Sequence, residues 1–152
     1  NGDPYQAYID VVIEEAKDSV HTDVTLDIAA SDIDPYAIEL TKNNALSAGV
    51  GDFIKVIESD ARRIITDKTC GSIITNPPYG ERLSDLEECK RLYSDIYKSF
   101  SKLPKWSYYI LTSHEEFEKE FGRKADRRRK IYNGMLRCWL YQYYGNKPDK
   151  KK

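Results

Sequence analysis

The chain has 152 residues, of which 40% are hydrophobic and 32% are charged, and its formal net charge is −1. This composition indicates one globular domain and argues against a uniformly basic nucleic-acid-binding protein or, since no apolar run is long enough, a membrane-spanning one. Three widely spaced cysteines and only two histidines favour reduced thiols and no metal site, and the absence of a visible export signal at Asn1 leads us to expect a cytoplasmic protein.

The predicted elements alternate between helices and strands. Pro4 and Pro35 each follow an aspartate, a pair that commonly opens a helix, and Gly49 and Gly122 are typical helix ends. The elements in chain order are a helix from residue 4, a strand at 26–31, a helix at 35–48, strands at 54–59 and 71–75, a helix that a capping box at Ser84 and Glu87 opens, a strand at 106–112 and a helix at 115–121. This order predicts an α/β fold with a mostly parallel sheet.

A hairpin closes the chain. Asn133-Gly134 is a strong two-residue turn signal between strand-like segments at 130–132 and 135–144. We interpret Tyr132 as a core residue of this hairpin rather than as part of a base pocket. The predicted fold is therefore a Rossmann-like sheet that ends in an antiparallel hairpin, with residues 1–145 in one domain and 146–152 as a basic, disordered tail.

The segment Asn76-Pro77-Pro78-Tyr79 directly follows the strand at 71–75, where ligands bind in open α/β sheets. An amino group conjugated to a ring is a poor nucleophile, because its lone pair is delocalised. The side-chain carbonyl of Asn76 and the main-chain carbonyl of Pro77 can accept its two hydrogens, while Tyr79 offers a face on which a flipped base can stack. These residues predict a catalytic loop for methyl transfer to an amino group, and a rigid turn with an aromatic plug is the structural alternative.

Two further strand ends carry acidic residues. Asp32 is predicted to accept from the ribose hydroxyls of a nucleoside, Ile33 to pack on its adenine, and Asp34 to cap the next helix. Asp60, followed by Ala61, is placed to accept from the adenine amino group. Asp32 and Asp34 could instead serve only as cap residues. The carboxyl ends of parallel strands meet at one edge, so we expect the three segments to converge.

Four segments together resemble the RNA methylase family, which includes bacterial ribosomal-RNA guanine-N2 methyltransferases and usually carries a THUMP RNA-binding domain upstream. They are 32–35 (DIDP), 76–83 (NPPYGERL), 110–113 (ILTS) and 130–136 (KIYNGML). The resemblance implies a class I methyltransferase sheet, S-adenosylmethionine as cofactor, and N2 of a guanine in large-subunit ribosomal RNA as target. Asn-Pro-Pro-Tyr alone is also found in DNA adenine and protein glutamine methyltransferases, which remain alternatives; segments 80–83 and 131–136 favour RNA.

The sequence departs from this family in one respect. Family members carry a glycine-rich cofactor loop after the first strand of the sheet, and this chain has no such segment. We therefore expect the first strand, the glycine-rich loop and the first helix to lie outside the chain, together with any RNA-binding domain. The sheet should then be interrupted between the strand that ends at Asp32 and the strand that precedes Asn76, and the chain alone should be inactive.

Basic residues supply the candidate substrate contacts. Arg82 and Lys130 could bind RNA phosphates, although a surface salt bridge explains either residue equally well. The basic stretch at 123–130 is a solvated face or, in a fragment that binds RNA without catalysis, the phosphate-binding surface.

Overall fold

The computed structural model describes residues 4–21, 25–79 and 83–146. The described elements are helices α1 (Pro4–Asp18), α2 (Pro35–Ser47), α3 (Leu83–Phe100) and α4 (Phe117–Phe121), and strands β1 (Ile28–Asp32), β2 (Ile54–Glu58), β3 (Gly71–Thr75), β4 (Trp106–Thr112), β5 (Arg127–Asn133) and β6 (Leu136–Tyr143). Short 3₁₀ turns at Gly51–Phe53 and Ala61–Arg63 flank β2. Each helix in these ranges is too short or too polar to cross a membrane.

The strands form two sheets. β1 pairs in parallel with β2, and the second sheet has the order β3-β4-β6-β5, in which β3 and β4 are parallel and the other two pairings are antiparallel. The α/β class and the closing antiparallel hairpin are confirmed. β1 and β3 are not paired with each other, and a strand that joins them remains a prediction.

The core lies between the second sheet and the two helices α3 and α4. It is rich in aromatic side chains, each of which removes a large apolar area from water. The largest fully buried side chains there include Tyr93, Phe100, Phe117, Phe121, Tyr141 and Tyr143. On the opposite face of the sheet Ile74 is 81% exposed. All of the described side chains of α1 are exposed as well. The packing that positions the loop after β3 therefore comes from the α3 side.

Most predicted boundaries agree with the structure to within two residues, and two details are wrong. Helix α3 begins at Leu83, so Ser84 lies inside the helix and not at its N-cap. The hairpin loop consists of Gly134 and Met135, one residue later than predicted, because a positive φ is needed only at the first loop position, where Gly134 has a φ of 60°.

Tyr132 contradicts the sequence interpretation. It is 63% exposed, because β5 is the edge strand of this sheet in the part of the chain that the structure describes. The predicted tail falls almost entirely at 147–152, outside the described residues.

Candidate active site

The loop Asn76–Tyr79 leaves the carboxyl end of β3, as the sequence predicts. Pro77 is buried, Tyr79 is half-buried, and Asn76 and Pro78 are exposed. Pro77 therefore anchors the loop in the protein while the Asn76 amide stays exposed. An exposed amide beside a fixed main chain is an arrangement that can present hydrogen-bond acceptors to a ligand.

Within this loop the Tyr79 hydroxyl donates a hydrogen bond to Oδ1 of Asn76. Burial is the main cause that raises the pKa of Tyr79, and the nearby Cys138 thiol of β6 acts in the same direction, whereas the bond to Asn76 opposes them. The hydroxyl thus remains a donor at neutral pH. It orients the amide oxygen, whose second lone pair can still accept a hydrogen bond from a ligand.

Tyr93 of α3 fixes the second half of the loop. Its hydroxyl donates to the main-chain oxygen of Pro78 over 2.6 Å, and the Tyr93 side chain is completely buried. Burial raises the pKa of Tyr93 to about 12, and a hydrogen bond with Thr112 at the end of β4 acts in the opposite direction. Tyr93 therefore links the ends of β3 and β4.

This contact was not predicted from the sequence. The available signal was a tyrosine at a core position, because a buried tyrosine hydroxyl requires a polar partner. The carbonyl of Pro77 differs from that of Pro78: no N–H or O–H group in the described part of the chain donates to it.

Asp32 and Ile33 lie together at the end of β1. Oδ1 of Asp32 accepts from the Asp34 N–H over 2.9 Å, and Oδ1 of Asp34 accepts from the Tyr36 N–H over the same distance. Asp34 is therefore the helix cap that the sequence predicts. Asp32 and Ile33 are exposed, so a carboxylate acceptor stands beside an apolar side chain. This pair fits the ribose and the adenine of a nucleoside cofactor.

Asp60 has a local partner that the sequence did not suggest. Its carboxylate accepts from the Arg62 main-chain N–H over 2.9 Å and pairs with the Arg62 guanidinium over 2.6 Å. The side-chain hydrogen bond from Arg62 is the main cause that lowers the pKa of Asp60. Ala61 is half-buried and packs against the core cluster. An adenine amino group at Asp60 would have to share the carboxylate with Arg62.

A cleft of about 890 Å³ separates the loop from α3. It is lined by Arg62, Asn76, Pro77, Pro78, Tyr79, Glu88, Cys89, Arg91, Leu92 and Asp95. The structure thus gathers the four predicted loop residues around one opening.

The other predicted site residues lie elsewhere. Asp32 and Ile33 are at the separate β1 edge, and Nζ of Lys130 lies 5.7 Å from the centroid of the Trp139 ring. Arg82 is outside the described residues. Among the side chains that are described, no group of three or more His, Cys, Asp or Glu residues is arranged to hold a metal ion.

Known proteins with similar sequences and structures are methyltransferases. A family model for the RMKL-like methyltransferase domain matches residues 5–142. YpsC of Bacillus subtilis (strain 168) is 39% identical over 139 residues, which are 91% of this chain and 36% of YpsC. Ribosomal RNA large subunit methyltransferase K/L of Shewanella amazonensis is 38% identical over 142 residues, which are 91% of this chain and 20% of that protein.

The crystal structure of SMU.472 complexed with SAH, the demethylated form of S-adenosylmethionine, superimposes with a TM-score of 0.86 and 39% identity, over 97% of this chain and 39% of SMU.472. The chain thus spans about two fifths or less of the length of each of these three proteins. The match covers both the strand ends and the hairpin described above. The chain therefore belongs to the RMKL-like methyltransferase domain family.

Proposed function

We propose that this chain is part of an S-adenosylmethionine-dependent enzyme that methylates N2 of a guanine in large-subunit ribosomal RNA. The proposal rests mainly on a difference in hydrogen bonding between the carbonyl oxygens of Pro77 and Pro78. Tyr93 occupies the oxygen of Pro78, whereas the oxygen of Pro77 receives no donor from the described residues. Beside it, Oδ1 of Asn76 accepts a hydrogen bond from Tyr79 of the same loop.

An exocyclic amino group has two hydrogens, and the loop offers two acceptors for them. The Pro77 oxygen accepts one hydrogen, and Asn76 Oδ1 accepts the other with the lone pair that Tyr79 does not use. Both bonds draw the amino nitrogen toward tetrahedral geometry and localise its lone pair. The Tyr79 ring is then available to stack on the extruded base.

The cofactor supplies an electrophilic methyl group when it is bound. Asn76 and Pro77 would orient the amino nitrogen so that its lone pair faces this methyl group, and after the transfer the nitrogen would give one proton to water or to a carbonyl oxygen. Asp32 and Ile33 would hold the adenosine part. We further propose that the glycine-rich loop for its methionine part comes from outside the chain, so that the chain alone is inactive.

The choice of RNA rests on segments 80–83 and 131–136 and on the name of the Shewanella relative, which acts on the large ribosomal subunit. The proposed partners are ribosomal RNA and an upstream segment that includes a THUMP domain. A cytoplasmic location remains part of the same proposal.

Calorimetry with S-adenosylhomocysteine tests the cofactor assignment. We expect no binding by the chain and clear binding by an extended protein, in which a segment with the glycine-rich loop is fused upstream of Asn1. Failure of both proteins to bind would refute the methyltransferase proposal. Binding by the chain alone would refute an external loop.

Methyl transfer from labelled cofactor tests the substrate. The extended protein should label protein-free large-subunit RNA, and not duplex DNA or a glutamine-containing peptide. Preferential labelling of DNA or of the peptide would replace the RNA assignment. The variant Asn76→Ala should lose about 10²–10³-fold in rate, because an acceptor that stabilises the developing charge is removed, and should keep its cofactor affinity.

A further inference from the structure

The most basic stretch of the chain lies on an edge of the second sheet. Arg127, Arg128, Arg129 and Lys130 are consecutive residues of β5, and all four are exposed. Among the described strands β5 pairs only with β6. Because successive residues of a strand point to opposite faces, the four cations form two pairs, one on each face of the hairpin.

The two pairs have different surroundings. Arg128 lies 4.7 Å from the Trp139 ring centroid and 3.9 Å from Glu118, and Lys130 lies over the same ring. Arg127 and Arg129 are on the other face, opposite Gln142 and Leu140. Neither of these two arginines has a carboxylate within 4 Å in the part of the chain that the structure describes.

The pair Arg127 and Arg129 also continues toward the candidate active site. The next residue on their face of β5 is Ile131, which is opposite Cys138. Trp139, the neighbour of Cys138, is opposite Thr112, the last residue of β4, so Cys138 lies near the edge of the sheet from which the loop Asn76–Tyr79 leaves. Burial and, after it, the Cys138 thiol raise the pKa of Tyr79. Alternate residues of a strand are about 7 Å apart, so Arg129 is about 7 Å and Arg127 about 14 Å along the strand from Ile131.

An RNA strand whose target base is stacked on Tyr79 must continue past the loop on one side. Successive phosphates of an extended strand have a spacing similar to that of alternate residues in β5. Exposed arginines without acidic partners are suited to such phosphates, since no existing ion pair has to be broken and each guanidinium can bind an anion with two N–H groups.

We infer that Arg127 and Arg129 form a phosphate-binding row that holds the RNA backbone next to the target nucleotide. This inference rests on the proposed function for the identity of the ligand. The hairpin register sets the direction of the row, because Ile131 follows Arg129 on the same face of β5 and is opposite Cys138, which lies toward Tyr79. Arg128 and Lys130 lie on the opposite face and are not part of the row, although the sequence suggested Lys130 as a phosphate contact.

The hairpin provides a matched control. We would measure binding of a fluorescein-labelled, mixed-sequence single-stranded RNA oligonucleotide by anisotropy for the wild-type chain, for Arg127→Ala/Arg129→Ala and for Arg128→Ala/Lys130→Ala. Both variants remove two cations from one strand. Each phosphate contact releases about 0.7 counterions, so the loss of two contacts should make the plot of log K against log salt less steep by about 1.4. When the salt concentration rises from about 50 mM to about 200 mM, the affinity of the wild type should therefore fall by a factor about 7 times larger than that of the first variant.

The second variant should keep most of the wild-type slope. Equal slopes for the two variants would mean that diffuse charge binds RNA, and a larger loss from Arg128→Ala/Lys130→Ala would place the contact on the Trp139 face; either result overturns the inference. No measurable RNA binding by the wild-type chain at low salt overturns it as well.

Arg127→Lys/Arg129→Lys, which keeps the charge, should restore most of the slope, and unchanged melting curves show that each variant folds. The S-adenosylhomocysteine titration of the extended protein is a separate readout. If RNA binding depends on Arg127 and Arg129 but S-adenosylhomocysteine does not bind, the proposed function is wrong and the phosphate-binding row is supported. If S-adenosylhomocysteine binds but RNA binding does not depend on these arginines, only this inference is wrong.

Discussion

Removing the Tyr93 hydroxyl tests how much its hydrogen bond to Pro78 contributes to the position of the loop after β3. The change Tyr93→Phe keeps the ring, which packs edge-on against Phe117 with centroids 5.0 Å apart. It deletes the donor to the Pro78 oxygen and the hydrogen bond with Thr112. The perturbation therefore alters the support of the loop and leaves the shape of the core nearly unchanged.

The expected loss of stability is close to that of one ordinary hydrogen bond. Pro78 is exposed, so water can replace the lost donor, and the hydroxyl of Thr112 still accepts from the His114 N–H over 3.1 Å. We expect a loss of about 1 kcal/mol, or about 2–4 °C in melting temperature. The expected effect on methyl transfer is larger, about 10-fold to 100-fold, because a loop displaced by about 1 Å no longer aims its acceptors at the amino group.

Tyr108→Phe is the matched control. Tyr108 is also buried, and its hydroxyl donates to the Phe100 oxygen over 2.9 Å, away from the loop. Thermal melts of the chain and methyl-transfer rates of the extended protein should show similar stability losses for both variants and a large rate loss only for Tyr93→Phe. Equal rates for the two variants would refute the role assigned to Tyr93.

Three further outcomes follow from the same structure. Asp32→Ala should raise the dissociation constant for S-adenosylhomocysteine in the extended protein by about 10-fold or more, whereas Asp34→Ala should mainly lower stability by about 1 kcal/mol as a lost helix cap; equal effects on cofactor affinity would contradict the assignment. Burial raises the pKa of Tyr93 from 10.0 to about 12, so the folded state holds this proton more tightly than the unfolded state. Its contribution to stability should be complete below pH 10.0 and lost as the pH rises toward about 12. Urea titrations across this range would measure the free energy of unfolding, and a value that does not change with pH would contradict this expectation. Gly122→Ala should destabilise the chain by about 1 kcal/mol in thermal melts, since Gly122 has a φ of +85° although its nearest neighbour leaves room for a methyl group; an unchanged melting temperature would argue against a strained helix end.

Local features were predictable from the sequence. The alternation of helices and strands, the cap at Asp34, the positive φ at Gly49 and Gly122, and the loop directly after Thr75 all depend on residues within a few positions of each other. Backbone preferences and hydrophobic periodicity act over that range, so they are visible in the sequence.

Features that depend on how elements dock were decided by the tertiary structure alone. The bond from Tyr93 to Pro78 joins residues 15 positions apart, and the exposure of Tyr132 depends on the position of β5 at the edge of the described sheet. Likewise, the division of the basic stretch into two faces requires the register of β5 against β6, which a run of four cations does not reveal. The sequence by itself thus determined which loop is the candidate for the chemistry. Only the packing of α3 and of the hairpin decided which of its carbonyls is bonded to Tyr93 and on which face of β5 each arginine lies.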